Sequence, residues 1–199
     1  MNHSGCAASV RGMLRPTLPI ETDRLLLRAY TPDDLDALYD IRSRPDVVRY
    51  LLFDVRTREQ VRESLADRVN QWYLEKEGDA MVLAVQRKDT GELIGDVVLF
   101  WRSETSGRGE LGFVFHPDHS GKGFASEAAR EVLRLGFEEL GLHRIEGRCD
   151  LRNTASSRLM ERLGMRREAV FKEYEFVKGE WCDELILAML DREWKGKQA

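Results

Sequence analysis

Cysteine is scarce in this sequence: 199 residues contain only Cys6, Cys149 and Cys182. Three scattered thiols cannot build a disulfide framework. Long apolar runs are missing as well. Met1 to Pro19 does not read as a secretory signal, and nothing downstream is apolar for long enough to span a membrane. Basic charge is not in excess, since 31 Lys and Arg face 35 Asp and Glu for a net charge of −4. That balance provides no bulk field for nucleic acid or anionic lipid, and it mildly suits a cationic acceptor such as an amine. Repeats, low-complexity tracts and linkers are lacking too. These absences leave the cytoplasm as the expected compartment, with no nucleic-acid or membrane partner.

What is present fits one compact domain. Hydrophobic residues make up 42% and charged residues 33%, an ordinary globular mix at a length that can bury a full core. Residues 1–19 mix Gly, Ala, Ser, Arg and Pro without periodicity and read as a flexible tail. Residues 20–195 read as the domain.

The pattern along that domain alternates between strands and helices. Arg24 to Tyr30 reads as a strand. Thr31 looks like an N-cap, with Pro32 at the first helical position and Asp33 and Asp34 in the first turn. A second helix starts at Thr57, where Gln60 completes a capping box, and its apolar stripe runs through Val61, Leu65, Val69, Trp72 and Tyr73 to about Gly78. Ala80 to Arg87 and Leu93 to Trp101 should form a hairpin around Asp89-Thr90-Gly91. Glu110 to His116 is a further strand. A long helix follows over Phe124 to Leu140, with Gly141 as its stop. His143 to Asp150 is a strand, and Asn153 caps a short helix that ends at Gly164. Two last strands, Arg167 to Val177 and Asp183 to Leu190, turn at Lys178-Gly179-Glu180. The order predicts a single α+β (mixed α/β) domain.

Chemistry concentrates at Ser120-Gly121-Lys122-Gly123-Phe124-Ala125. Glycines between a strand and a helix let several backbone N–H groups point into one space, and the helix N-terminus adds free donors and a favourable dipole. Such a junction suits a phosphate or pyrophosphate, with Lys122 adding charge at the rim. The same glycines would also serve as plain turn chemistry. Two other phosphate motifs fail on context. Gly107-Arg108-Gly109-Glu110-Leu111-Gly112 matches G-x-G-x-x-G as a string, but a strand-like run follows it instead of a helix. Gly121-Lys122-Gly123 lacks the hydroxyl that a magnesium-binding P-loop needs.

Taken together, these residues resemble the GNAT superfamily of N-acetyltransferases, particularly its ribosomal-protein N-terminal acetyltransferase (RimJ/RimL-like) branch. The family carries Q/R-x-x-G-x-G/A at this junction; here Ser120 departs from Gln or Arg. A second signature is Asn153-Thr154-Ala155-Ser156, followed by Glu161-Arg162-Leu163-Gly164-Met165. A third is Gly179-Glu180-Trp181-Cys182-Asp183 before the last strand. Thr22-Asp23-Arg24-Leu25-Leu26-Leu27-Arg28 looks like the usual start of the branch. The resemblance runs from about Glu21 to Asp191.

It implies a mixed, mostly antiparallel twisted sheet flanked by helices, with the strands Glu110–His116 and His143–Asp150 splayed to admit pantetheine. By the same resemblance, backbone groups of Phe113, Val114 and Phe115 would pair with the pantetheine amides. Gly121, Lys122, Gly123, Phe124, Ala125 and Ser126 would hold the pyrophosphate of acetyl-CoA or another acyl-CoA, and Asn153 would bond the pantetheine region. The acceptor would be an amine: a protein N-terminus, an antibiotic or a polyamine. A backbone N–H near Val114 or Phe115 would face the oxyanion. The branch pattern points to Glu175 as base, ten residues past Met165, and to Ser156 as the hydrogen-bond donor to the leaving thiolate. Relatives often use a tyrosine there, and Ser157 to Met160 contains none.

Each role has a plainer reading. Glu175 would be a solvated strand glutamate if Glu173 and Glu175 alternate on one face with Phe171 and Val177. Glu110 is the rival base, and a water chain could serve instead. Ser156 would only satisfy backbone N–H groups in a first helical turn. Cys149 reads as a packing residue without a base partner. His116 and His119 sit three apart with Pro117 between them and no third ligand, so no metal is expected. Trp72, Tyr73 and Trp101 would line an acceptor pocket or simply pack. A non-catalytic acyl-CoA-binding or regulatory protein is the alternative to an enzyme, and either would act as a monomer or homodimer.

Overall fold

The computed structural model describes residues 12–196. Its strands are β1 (Ile20–Glu21), β2 (Leu25–Arg28), β3 (Ala80–Arg87), β4 (Leu93–Ser103), β5 (Arg108–Phe115), β6 (Arg144–Asp150), β7 (Arg166–Val177) and β8 (Glu180–Leu190). The helices are α1 (Leu35–Arg42), α2 (Pro45–Val48), α3 (Arg58–Arg68), α4 (Phe124–Arg134), α5 (Thr154–Leu163) and α6 (Asp191–Lys195). All the strands form one sheet in the order β1-β2-β3-β4-β5-β6-β8-β7, and only β5 and β6 run parallel. This is the mixed α/β domain that the sequence predicts.

Alternation along the strands sorts the core into two layers. Leu83 and Val85 of β3 join Phe124, Ala128, Ala129 and Val132 of α4 and Leu159 and Leu163 of α5 on one face. Val82 and Ala84 of the same strand point the other way, to Leu38 of α1 and Val61 and Leu65 of α3. β3 is therefore buried on both sides, which explains its unbroken apolar run.

Three local expectations change. The helix from Thr57 keeps its capping box with Gln60 but ends at Arg68, well short of Gly78. Beyond it the N–H groups of Asn70 and Gln71 reach back only three residues, and Leu74 pairs instead with Leu14. Trp72 and Tyr73 thus leave the helical stripe and stack edge to face at 5.1 Å. Of the tail read over 1–19, residues 1–11 and with them Cys6 lie outside the described residues. Leu14 is tied down by two backbone hydrogen bonds with Leu74, at 2.8 and 2.9 Å, and is buried. Finally, Thr31 opens a 3₁₀ turn, Pro32–Asp34, before α1 begins. The Asp34 carboxylate accepts from the Thr31 N–H at 2.8 Å and holds Arg28 at 2.7 Å, which stabilises the tighter turn.

Candidate active site

The parallel ladder between β5 and β6 consists of four residue pairs, from Arg108↔Arg144 to Leu111↔Gly147, and then stops. Beyond that point β5 stays paired with β4 through Phe113↔Val97, Val114↔Asp96 and Phe115↔Gly95. β6 stays paired with β8 through Arg148↔Ile186 to Asp150↔Glu184. The two strands fork, so Phe113, Val114 and Phe115 present backbone to the gap on the side away from β4.

The glycine turn lies past the end of β5, after the 3₁₀ turn Pro117–His119. Gly121 at φ +76° and Gly123 at φ +83° adopt the left-handed conformation that L side chains rarely tolerate. Gly123 is the N-cap of α4. Among the described residues, none beyond its two chain neighbours comes within 4 Å of a Cβ built at Gly121, so the space in front of the turn is open. Inside the first turn of α4, the buried Ser126 hydroxyl has no hydrogen-bond partner among the described residues. An open cradle, free helix N–H groups and an unsatisfied buried hydroxyl together fit a pyrophosphate. Lys122 turns back, its Nζ donating to the Asp118 carbonyl at 2.9 Å.

Phe124 packs into the core under Arg24, whose guanidinium carbon sits 4.6 Å from the ring centre. Arg24 Nε donates to Glu127 Oε2 at 2.7 Å, and the Thr22 hydroxyl donates to Glu127 Oε1 at 2.6 Å. Ala125, also at the start of α4, packs against the same core.

Asn153 lies on the opposite bank of the fork. Its side-chain oxygen accepts the Ser156 N–H at 3.1 Å, so it caps α5. Ser156 is half-buried, and its hydroxyl meets the Cys149 thiol. Burial pushes that thiol up to about 11, which leaves Cys149 a poor nucleophile near neutral pH.

On the sheet face turned away from α4 and α5, a cavity of about 570 Å³ reaches the fork. Alternation puts Glu146, Arg148 and Asp150 of β6 toward it, with Glu110 of β5 and Glu184 of β8. Carboxylates converge there around Arg148. Its guanidinium lies 3.0 Å from Glu184, 3.4 Å from Glu146 and 3.8 Å from Glu110. Arg102 adds a second cation to Glu110 at 2.9 Å. Burial raises the Glu184 carboxyl above the usual glutamate range; Arg148 opposes this, while Glu110 and Glu175 add to it.

Glu175 lines the same cavity, and among the described residues its carboxylate makes no hydrogen bond or ion pair. The strand alternation expected around it does not hold. The register slips between Phe171 and Glu175, and Glu173 takes φ +48°. Asp183 stabilises this bulge, accepting from Lys172 Nζ at 2.7 Å and the Glu173 N–H at 3.0 Å. The bulge separates Glu173 from the face on which Glu175 pairs with Cys182.

Residues 24–166 match the family described as Acetyltransferase (GNAT) domain. The chain belongs to the GNAT acetyltransferase family. It is 38% identical over 175 residues to the uncharacterized N-acetyltransferase YnaD of Bacillus subtilis, covering 88% of this chain and 98% of that one. Identity to the uncharacterized N-acetyltransferase p20 of Bacillus licheniformis is 33%, over 88% of this chain and 97% of p20. A GNAT-family acetyltransferase from Bacillus anthracis superposes with a TM-score of 0.78 at 34% identity, over 87% of this chain and 99% of the other. RimL, a ribosomal L7/L12 α-N-protein acetyltransferase solved with coenzyme A, shares the fold: TM-score 0.75 at 17% identity, over 87% of this chain and 97% of that one. This GNAT chain is an acyltransferase, and acetyl transfer is its general chemistry.

The structure sorts the remaining sequence candidates. Phe113 to Phe115 and the glycine turn lie along one side of the fork, with Asn153 and Ser156 on the other. Glu110 and Glu175 share the cavity, whereas Trp72, Tyr73 and Trp101 do not line it. Trp101 is buried in the core beneath the sheet. His116 pairs with Asp40 at 3.1 Å and His119 with Glu92 at 3.2 Å. Among the described residues no three His, Cys, Asp or Glu side chains gather as a metal site requires. Neither Arg148 nor Glu184 stands out in the sequence. Only the β5–β6 and β6–β8 registers bring them beside Glu110, so the signal is tertiary.

Proposed function

We propose that the chain moves an acetyl group from acetyl-CoA to a primary amine within a ternary complex. The observation that carries this reading is the fork. It opens between the glycine turn, which suits a pyrophosphate, and the charged cavity, which suits an amine. A donor lying along Phe113 to Phe115 would continue the sheet by backbone hydrogen bonds. Its pyrophosphate would rest on Gly121 to Ser126, with Asn153 near the pantetheine. That RimL, which shares the fold, was solved with coenzyme A supports coenzyme A as the carrier of the donor.

The amine would enter from the carboxylate-rich cavity. Glu175, unpaired and lining it, would take the ammonium proton directly or through water. Glu110, already held by two arginines, is the less available base. The neutral nitrogen attacks the thioester carbonyl, a C–N bond forms, and the C–S bond breaks. A backbone N–H near Val114 or Phe115 would stabilise the oxyanion. The Ser156 hydroxyl, beside Cys149, would donate to the departing thiolate. The acceptor class is a protein N-terminus or a small-molecule amine such as an antibiotic or polyamine, and the compartment is the cytoplasm.

The test mixes protein, acetyl-CoA and an amine panel, then follows thiol release and acceptor mass. Release of thiol with a 42 Da gain on one amine, the mass of an acetyl group replacing hydrogen, is expected on chemical grounds (roughly one acetyl per turnover). Tight coenzyme A binding with no turnover on any peptide, polyamine or aminoglycoside would overturn the catalytic reading.

A further inference from the structure

A second, smaller cavity lies on the α1–α3 side of the sheet, away from the fork. Its volume is about 20 Å³, and Arg42, Arg56, Arg68, Ser64 and Phe53 line it. Three guanidinium groups meet there, and the chain supplies them with one buried carboxylate. Asp96 is 2% exposed and accepts from Arg42 at 2.6 Å, Arg68 at 3.2 Å and the Tyr30 hydroxyl at 2.9 Å. All three bonds converge on Asp96 Oδ2. Among the described residues no carboxylate pairs with Arg56, whose guanidinium lies 4.5 Å from the centre of the Phe53 ring. Arg42 faces the same ring at 5.7 Å. A ring face offsets a cation by less than a missing counter-ion costs in a partly dry site. Burial and the charges of Arg42 and Arg68 accordingly lower the Arg56 pKa. The carbonyl ends of α1 and α3 help Arg42 and Arg68, which sit in the last turns of those helices. They do not reach Arg56, which lies in the loop after α2.

We propose that the cleft among Arg42, Arg56, Arg68 and Ser64 seats one small monoatomic anion of the chloride class, the counter-ion for Arg56 that the described residues do not supply. The size selects this class: the void holds about one water-sized occupant, too little for a sulfate or phosphate. Guanidinium N–H groups and the Ser64 hydroxyl provide the donors an anion needs. Phe53 and Arg56 close the loop whose earlier residues, Arg49 to Leu52, line the large cavity. The bound anion would therefore also fix that wall. The proposal stands independently of the acyl-transfer reading.

Two measurements on the full chain decide it. Thermal melts are run at constant ionic strength while sodium gluconate is replaced by sodium chloride. A saturating rise of roughly 2–5 °C is expected. Arg56→Gln should lose the chloride response and melt no lower than wild type in gluconate, because it removes an uncompensated cation. Arg49→Gln, in the same loop but outside the cleft, should keep the response. Crystals soaked in bromide should show an anomalous peak between Arg42, Arg56 and Arg68. Equal melting in both salts, a chloride response retained by Arg56→Gln, or a bromide map empty at the cleft would each overturn the proposal.

Discussion

The Arg24 guanidinium grips the Glu127 carboxylate, Nε to Oε2 at 2.7 Å, and its Nη1 reaches over to the Lys122 carbonyl at 2.9 Å. A residue of the run before β2 thereby holds the glycine turn from outside, 98 positions away in sequence from Lys122. An exposed ion pair contributes little stability, so its effect should show in the geometry of the turn. Arg24→Ala is expected to weaken coenzyme A binding about three- to tenfold, roughly 0.7–1.4 kcal/mol, with turnover at saturating donor nearly unchanged. Separate determination of kcat and KM for the donor checks this.

Gly123 tests the turn itself. A Cβ there would sit 3.4 Å from Arg24 Nη2, and the backbone is held at φ +83°. Gly123→Val combines left-handed strain of about 1–3 kcal/mol with a branched side chain in the phosphate space. Coenzyme A affinity, read by calorimetry, should fall by at least about tenfold, equivalent to 1.4 kcal/mol. Wild-type affinity in the variant would count against this placement of the pyrophosphate.

Glu175→Gln separates base from bystander. Loss of a positioned general base lowers turnover by about 10²–10⁴-fold. Coenzyme A affinity should stay at the wild-type value, since Glu175 lines the carboxylate-rich cavity and not the glycine turn. Steady-state rates and a binding isotherm on the same preparation give both quantities. Unchanged rates would move the role to Glu110 or to water.

Asp96 links stability to acid. Burial alone would raise its pKa, but Arg42, Arg68 and the Tyr30 hydroxyl outweigh burial and hold it below the usual carboxylate range. The folded protein keeps Asp96 ionised where the unfolded chain takes up a proton. Its contribution is therefore present above about pH 4 and lost as pH falls through the lower folded value. Asp96→Asn should destabilise by about 3–5 kcal/mol at neutral pH, because it strands buried cations. The gap to wild type should shrink in strong acid, as urea unfolding at several pH values would reveal.

Gly95 reports on the strand that borders the fork. A Cβ at this position would run into the Val114 carbonyl oxygen and lie 2.9 Å from Phe115 Cα. Both obstacles are backbone and cannot rotate aside. Gly95→Ala should cost about 1–3 kcal/mol by overpacking and should weaken donor binding along with stability. Chemical denaturation and coenzyme A calorimetry test the two effects.

The sequence was most legible where local rules act alone. Thr57 with Gln60, Asn153 at its cap, and the two left-handed glycines before α4 are all short-range features, and each lies where expected. The sequence pattern carries the helix after Thr57 too far because Trp72 and Tyr73 continue its period, whereas the pairing of Leu74 with Leu14 is a long-range contact that no local pattern reports. The carboxylate-rich cavity was legible only in fragments. Glu110 and Glu175 could be suspected singly. Their company, Arg148 and Glu184, depends on which residues face each other across β5, β6 and β8. The bulge at Glu173 was hidden too, because it rests on Asp183 from the neighbouring strand.

The four-pair ladder between β5 and β6 has a mechanical consequence. It divides the sheet into an N-terminal panel, β1 to β5, and a C-terminal panel, β6, β8 and β7, with little hydrogen bonding across their common edge. A molecule lying in the fork would bridge the panels as well as occupy a groove. Donor binding should then stiffen the protein most where it is structurally thinnest, and slow amide exchange on both sides of the divide together.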